Sequence, residues 1–251
     1  MLFPAYIERV ALQAGLTLMC ALPFIGVAAW QSRFRRWELL LFVLCITVFD
    51  TALLEIPRIG VFQRLHWSWQ ESILSTAWPF LLVALAPGIS LASIGVTSRF
   101  RPGWLKPSLV AGILALAVPA VFFALGARKM LDAQGWTFLL LMPGLAEEIV
   151  FRGVYQSLLN RVFGKPWRLG GAEFGWGLII TAILFAGSNG LVRIDSQLHA
   201  RIVLYAAIAP VMLSLVSGWI RERTDSVWLS VVGHNLSNVV IPLATLFTPF
   251  S

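Results

Sequence analysis

The stretch Pro143-Gly144-Leu145-Ala146-Glu147-Glu148-Ile149-Val150-Phe151-Arg152-Gly153-Val154-Tyr155 decides how the rest of the chain is read. It lies inside an apolar segment that opens near Trp136 and continues Thr137-Phe138-Leu139-Leu140-Leu141-Met142, so two carboxylates and a guanidinium fall at membrane depth. A charge near a bilayer centre costs roughly 2.5–3.5 kcal/mol on insertion scales, and such residues usually face a bundle interior or a wet cavity. This cluster therefore reads as the working centre of a multi-pass membrane protein.

The bulk numbers point the same way. The 251 residues are 58% hydrophobic and only 12% charged, with a mean hydropathy of +0.81, whereas soluble domains carry about 25% charged residues. The formal charge of +7 is spread as short Lys and Arg clusters between apolar runs. That pattern argues against a nucleic-acid partner and reads as topogenic charge. Cys20 and Cys45 lie in apolar segments, which speaks against a disulfide scaffold or a metal knuckle. The run from Val10 to Trp30 is long enough to span and is followed by Arg33, Arg35 and Arg36, so it reads as a retained helix with its N-terminus outside.

Apolar windows recur at about 10–30, 38–56, 72–96, 108–126, 136–159, 176–191, 202–220 and 227–247. The expected fold is all-α: a multi-pass transmembrane helical bundle of about eight helices, with 1–251 forming a single integral membrane domain. The connections after windows one, three, five and seven hold eleven Lys and Arg, the others seven. This bias places both termini on the non-cytoplasmic side. Trp30, Trp37, Trp67, Trp69, Trp104, Trp136, Trp176 and Trp228 sit near window ends, where amphipathic rings prefer the interface. Pro143 bends its helix one turn before the carboxylates, because its ring displaces the carbonyl of Leu139.

Three polar sites stand out. On a helix Glu148 and Arg152 share a face in the better order for an ion pair, and Gln156 continues that stripe. Glu147 points about 100° away and is left for acid–base chemistry. The competing reading joins all three in one structural salt-bridge network. In the sixth window Thr181, Phe185, Ser188 and Asn189 share a face, while Ala182, Ala186 and Gly190 make a small-residue ridge. Taken alone, Asn189 is more often an interhelical hydrogen-bond partner than a catalyst. In the eighth window His234 and Asn238 lie one turn apart, with Ser230 a turn earlier, and can donate to an oxyanion on a peptide carbonyl. Asp50 reads as an intramembrane acid that lines the cavity or pairs with an arginine, a structural role being favoured, and Glu55, His66 and His199 lie near window ends within reach of water. Zinc catalysis needs about three protein ligands, and Glu147, Glu148 and His234 are not at a familiar ligand spacing. Metal-free chemistry without a cofactor is expected.

With those residues placed, the chain resembles the CPBP family of intramembrane proteases, which includes the type II CAAX prenyl endopeptidases and bacteriocin-processing and immunity proteins. Glu147, Glu148 and Arg152 match its Glu-Glu-x-x-x-Arg motif, with the Phe151-Arg152-Gly153 flank also alike, and His234 and Asn238 match His-x-x-x-Asn. The middle motif, Phe-x-x-x-His, departs: Phe185 is followed by Asn189. The resemblance implies a catalytic core over 136–247, with supporting helices over 1–135. It implies that Glu147 is the general base, Glu148 and Arg152 its scaffold, and His234 with Asn238 the oxyanion hole. Asn189 cannot exchange a proton near neutrality, so Glu147 would manage the proton transfers alone. The expected partners are a membrane-associated peptide or protein substrate and the lipid bilayer, in a cell membrane of the bacterial inner-membrane type. Two other readings stay open: a family member that only binds membrane peptides as an immunity or assembly factor, and a proton-coupled carrier.

Overall fold

A computed structural model describes residues 2–32 and 36–248. Arg33 and Arg35 of the first basic cluster lie outside the described residues. In chain order the helices are α1 (Leu2–Ser32), α2 (Trp37–Leu54), α3 (Trp69–Leu85), α4 (Leu105–Ala124), α5 (Ala133–Glu148), α6 (Gln156–Phe163), α7 (Trp176–Ala186), α8 (Leu204–Thr224) and α9 (Trp228–Leu246). A π-helical segment, Ile149–Tyr155, joins α5 to α6 in one rod, and a second, Gly187–Leu191, extends α7. Each of the eight apolar windows thus corresponds to one rod.

Five of these rods, Pro4–Ser32, Trp37–Leu54, Leu105–Ala124, Leu204–Thr224 and Trp228–Leu246, are long and apolar enough to cross a membrane. The chain is an integral, multi-pass membrane protein. Leu109, Val110, Ile113, Leu114, Val121 and Phe122 of α4 are exposed, as befits a helix whose outer face meets acyl chains and not water.

The local chemistry sets the ends. Asp132 caps α5 by accepting from the Gly135 N–H at 2.7 Å, a donor the first helical turn leaves unpaired. The left-handed Asp225 (φ 61°) closes α8. The third rod is shorter than its window. Pro87 and Gly88 (φ 84°) end it at Leu85, because proline supplies no N–H and glycine tolerates the reversal.

The apolar remainder, Ile89 to Val96, folds back into the bundle instead of continuing the helix. Ile94 is 1% exposed, the Val227 N–H donates to Gly95 O at 2.9 Å and the Arg101 N–H to Thr224 O at 3.1 Å. Two antiparallel hairpins are further additions: β1 (Trp167–Leu169) with β2 (Ala172–Phe174), and β3 (Val192–Ile194) with β4 (Ala200–Ile202).

The main core forms around the π segment, whose seven residues are all buried. Val150, Phe151, Val154 and Tyr155 pack with Ile46, Trp78, Ile180, Leu184 and Phe185. A polar lock holds the far end of this rod to α8. Glu222, buried in α8, accepts from Gln156 Nε2 at 2.7 Å, Asn160 Nδ2 at 2.6 Å and Lys165 Nζ at 3.1 Å. Three donors around one buried carboxylate offset much of its desolvation; without it Asn160 Nδ2 and Lys165 Nζ lose this acceptor, while Gln156 Nε2 keeps Gly218 O at 2.9 Å.

Two stability measurements check these assignments. Glu222→Ala is expected to lower unfolding stability by about 1–3 kcal/mol, read as a fall in melting temperature of the detergent-solubilised protein. In the β3–β4 turn the His199 backbone N–H, donating to Asp195 Oδ1 at 3.0 Å, holds that carboxyl below its usual range. A depressed folded-state pKa contributes stability above the unfolded value of about 3.9 and loses it as pH falls through the depressed value. Proton NMR of the His199 amide should register that loss on acidification, and Asp195→Asn should abolish the pH dependence.

Candidate active site

The site is built on the middle of the 133–163 rod, where three features act together. Pro143 interrupts the backbone ladder of α5, and Asn235 of α9 fills the gap: its Oδ1 accepts from the Gly144 N–H at 2.7 Å and its Nδ2 donates to Leu141 O at 3.3 Å. Gly144 permits this approach, since a Cβ there would stand 2.5 Å from Val231 O. The π segment then begins at Ile149, one residue after the paired carboxylates. A widened turn at that point commonly accompanies function.

Glu148 and Arg152 are each 1% exposed, with Arg152 Nε 3.0 Å from Glu148 Oε2. The contact is an ion pair whose N–H direction does not meet hydrogen-bond geometry; Nη1 and Nη2 likewise have no hydrogen-bond partner. The guanidinium carbon stands 4.9 Å from the centre of the Phe185 ring, a cation–π contact that helps keep the charge in an apolar setting. The other oxygen of Glu148, Oε1, lies 2.8 Å from His234 Nδ1. One carboxylate thus anchors both the arginine of its own rod and the imidazole of α9.

That anchor aims the other ring nitrogen. His234 Nε2 lies 3.9 Å from Glu147 Oε2, and Glu147 Oε2 also accepts from Asn189 Nδ2 at 3.3 Å. Phe185 packs edge-on to both Phe151 and His234. Glu147, His234 and Asn189 therefore meet, although they come from three separate rods. The helical pattern is interrupted at Asn189 itself (φ −111°) and at Gly190 (φ 132°), so the amide stands on a broken helix end rather than on a regular helical face. Of the small-residue ridge, Ala182 and Ala186 are buried and Gly190 lies against α8, where a Cβ would stand 3.4 Å from Ala206 O; Gly187 beside them meets α1, where a Cβ would come within 2.5 Å of Thr17.

Two cavities flank the cluster. One, of about 390 Å³, is lined by Glu147 and Asn189 together with Asp50, Glu71, Ser72 and Ser75. The other, of about 210 Å³, is lined by Glu148, Arg152, Asn189, His234, Ser237 and Asn238. Asn238 reaches the site only as a lining residue of the second cavity. Asn189 borders both. Among the described residues no group of three His, Cys, Asp or Glu side chains converges as metal donors.

Sequence reasoning did not find Asn235; of the two placements it offered for Asp50, lining the cavity or pairing with an arginine, the structure shows the first. Asn235 was eclipsed by its neighbour His234, yet its place between Val231 and Val239 on the helix repeat marks a buried stripe that an amide has no reason to join unless it is bonded. Asp50 is 4% exposed and accepts from Trp78 Nε1 at 2.8 Å and Ser75 Oγ at 3.4 Å.

Residues 129–240 match the family described as Type II CAAX prenyl endopeptidase Rce1-like, which agrees with the resemblance drawn from the motifs. The match takes in every one of Glu147, Glu148, Arg152, Asn189, His234 and Asn238, and the family is one of proteases. No curated protein and no solved structure matches the chain.

The two adjacent glutamates should respond differently to loss of charge. Glu148→Gln leaves a buried guanidinium without its counter-ion and should destabilise the protein by about 3–5 kcal/mol. Glu147→Gln, at a side chain 30% exposed to a cavity, should shift stability by less than about 1 kcal/mol. Parallel thermal unfolding of the two variants tests the contrast.

Proposed function

We propose that this chain, whose 129–240 segment matches the type II CAAX prenyl endopeptidase-like family, is an intramembrane endopeptidase of the glutamic type. The observation that carries the reading is the approach of Glu147 Oε2 to His234 Nε2 at 3.9 Å, in a region bordered by two cavities. A carboxylate that can accept a proton faces a ring nitrogen whose orientation is fixed by the hydrogen bond at the opposite nitrogen.

In the reaction a water gives one proton to Glu147 while its oxygen bonds to the peptide carbonyl carbon. The negative charge that gathers on the carbonyl oxygen is met by protonated His234 Nε2 and by the Asn238 amide, donors held in a water-poor setting where they act most strongly. The C–N bond then breaks as Glu147 returns its proton to the leaving nitrogen, which regenerates the carboxylate. Glu148 does not react. It holds His234 in place and is itself balanced by Arg152. Asn189 steadies Glu147 by a hydrogen bond but takes no proton. The substrate is a membrane-associated peptide or protein, and a prenylated CAAX-type peptide is the first class to test because the matched family carries that description.

One observation favours a second reading. Asn189 stands where the family has histidine, and a chain with this geometry and no adequate proton carrier would bind membrane peptides without cleaving them. The two readings part on one experiment. Membrane and secreted proteomes of cells carrying the wild type or Glu147→Gln are compared, with expected accumulation of uncleaved precursors only in the variant. Unaltered processing would refute the enzyme. Cleavage gained only on Asn189→His would establish the binding role.

A further inference from the structure

Asp50 is an intramembrane acid that this reaction scheme leaves unused. It is 4% exposed, and among the described residues no arginine or lysine forms an ion pair with it. Its Oδ1 accepts from Trp78 Nε1 at 2.8 Å and from Ser75 Oγ at 3.4 Å. The carboxyl is thereby held in one orientation by α3 while it lines the same polar cavity as Glu147. The Tyr155 hydroxyl, which donates to Ile46 O at 3.2 Å, also interacts with the Asp50 carboxyl, and Glu71, the third carboxylate lining this cavity, is paired with Arg58 Nε at 3.0 Å. A buried carboxylate without a cationic partner costs several kcal/mol and persists where a function or a bound water offsets that cost.

The cavity has the volume and polarity to hold water. At about 390 Å³ it exceeds the roughly 30 Å³ share of one liquid water several times over, and Ser72 and Ser75 line it beside the two acids. The oxyanion donors His234 and Asn238 line the second cavity, and Asn189 borders both.

We propose that Asp50 is a positioning residue for the hydrolytic water in this cavity, its carboxylate accepting a hydrogen bond from the water so that the other proton is directed to Glu147. The inference rests on the endopeptidase reading and deepens it. It also accounts for a chain that works with Asn189: the second acceptor for the water is supplied by α2 instead of by the middle motif.

The test uses the purified full-length chain in lipid nanodiscs and a prenylated CAAX-type reporter peptide. Asp50→Asn keeps an oxygen for Trp78 and Ser75 but turns an amide donor toward the water. The expected result is a fall in kcat of about tenfold or more, with KM within about twofold and an unchanged melting temperature, since an interaction made only in the transition state is removed. Adding Asn189→His to Asp50→Asn should restore much of the lost kcat, because the ring provides a new acceptor beside Glu147. An unchanged kcat in Asp50→Asn overturns the inference while leaving the enzyme reading intact. So does a kcat loss that follows the melting temperature and is not recovered by Asn189→His, which assigns Asp50 a structural role. A wild type inert toward the peptide overturns the proposed function for that substrate class, and the inference with it.

Discussion

The Glu148 carboxylate is the contact on which the centre of this bundle depends. One oxygen lies against Arg152 in its own rod and the other against the His234 imidazole in α9. Taking a carboxylate and a guanidinium out of water costs several kcal/mol each unless the geometry is good and further polar groups share the charge. Here the histidine and the face of Phe185 share it. The same arrangement that makes the pair tolerable fixes where the imidazole points, so charge compensation and site geometry are one problem with one solution.

A second constraint is that the rod carrying these residues is not a regular helix. Pro143 removes one donor, Asn235 bonds to Gly144 and Leu141 around the bend, and a π segment follows. Non-ideal backbone at membrane depth persists only where protein groups satisfy it. Asn235 supplies that satisfaction from α9, and in doing so docks α9 beside the glutamates. Its neighbour His234 consequently arrives with little freedom of its own. The proposed division of labour, with Glu147 reacting and Glu148 holding, follows from this: the side chain open to a cavity can change protonation, and the fully enclosed one is already committed.

Much of the architecture was legible because membrane-spanning segments announce themselves by length and composition. All eight apolar windows correspond to rods, and the polar exceptions inside them, Glu147, Glu148, Arg152 and His234, converge in space. What was not legible depends on distant partners. Ile89 to Val96 is as apolar as a helix, but after Pro87 and Gly88 it is a returning loop that buries Ile94 and Gly95 and leaves Leu91 exposed. The π segments contain no residue that a regular helix forbids, except Gly190 at φ 132°. Glu222 lies near the end of α8 with nothing in its local sequence to mark it, and only the arrival of Gln156, Asn160 and Lys165 makes it a buried junction. Spacing along one helix carries no information about which amide from another will reach it.

The loop that returns to the bundle after Gly88 has a consequence for biogenesis. Its anchors lie far ahead in the chain: Ser226 Oγ donates to Thr97 O across 129 positions, and Arg101 binds Asp225 across 124. On the ribosome this segment emerges long before its partners are translated, so its carbonyls and the apolar Ile94 must wait at the membrane border until α8 and α9 have been inserted. Final closure of the protein is therefore a late, C-terminally triggered event, and a polypeptide stalled before the last two helices would expose both this loop and the unfinished acidic centre to membrane quality control.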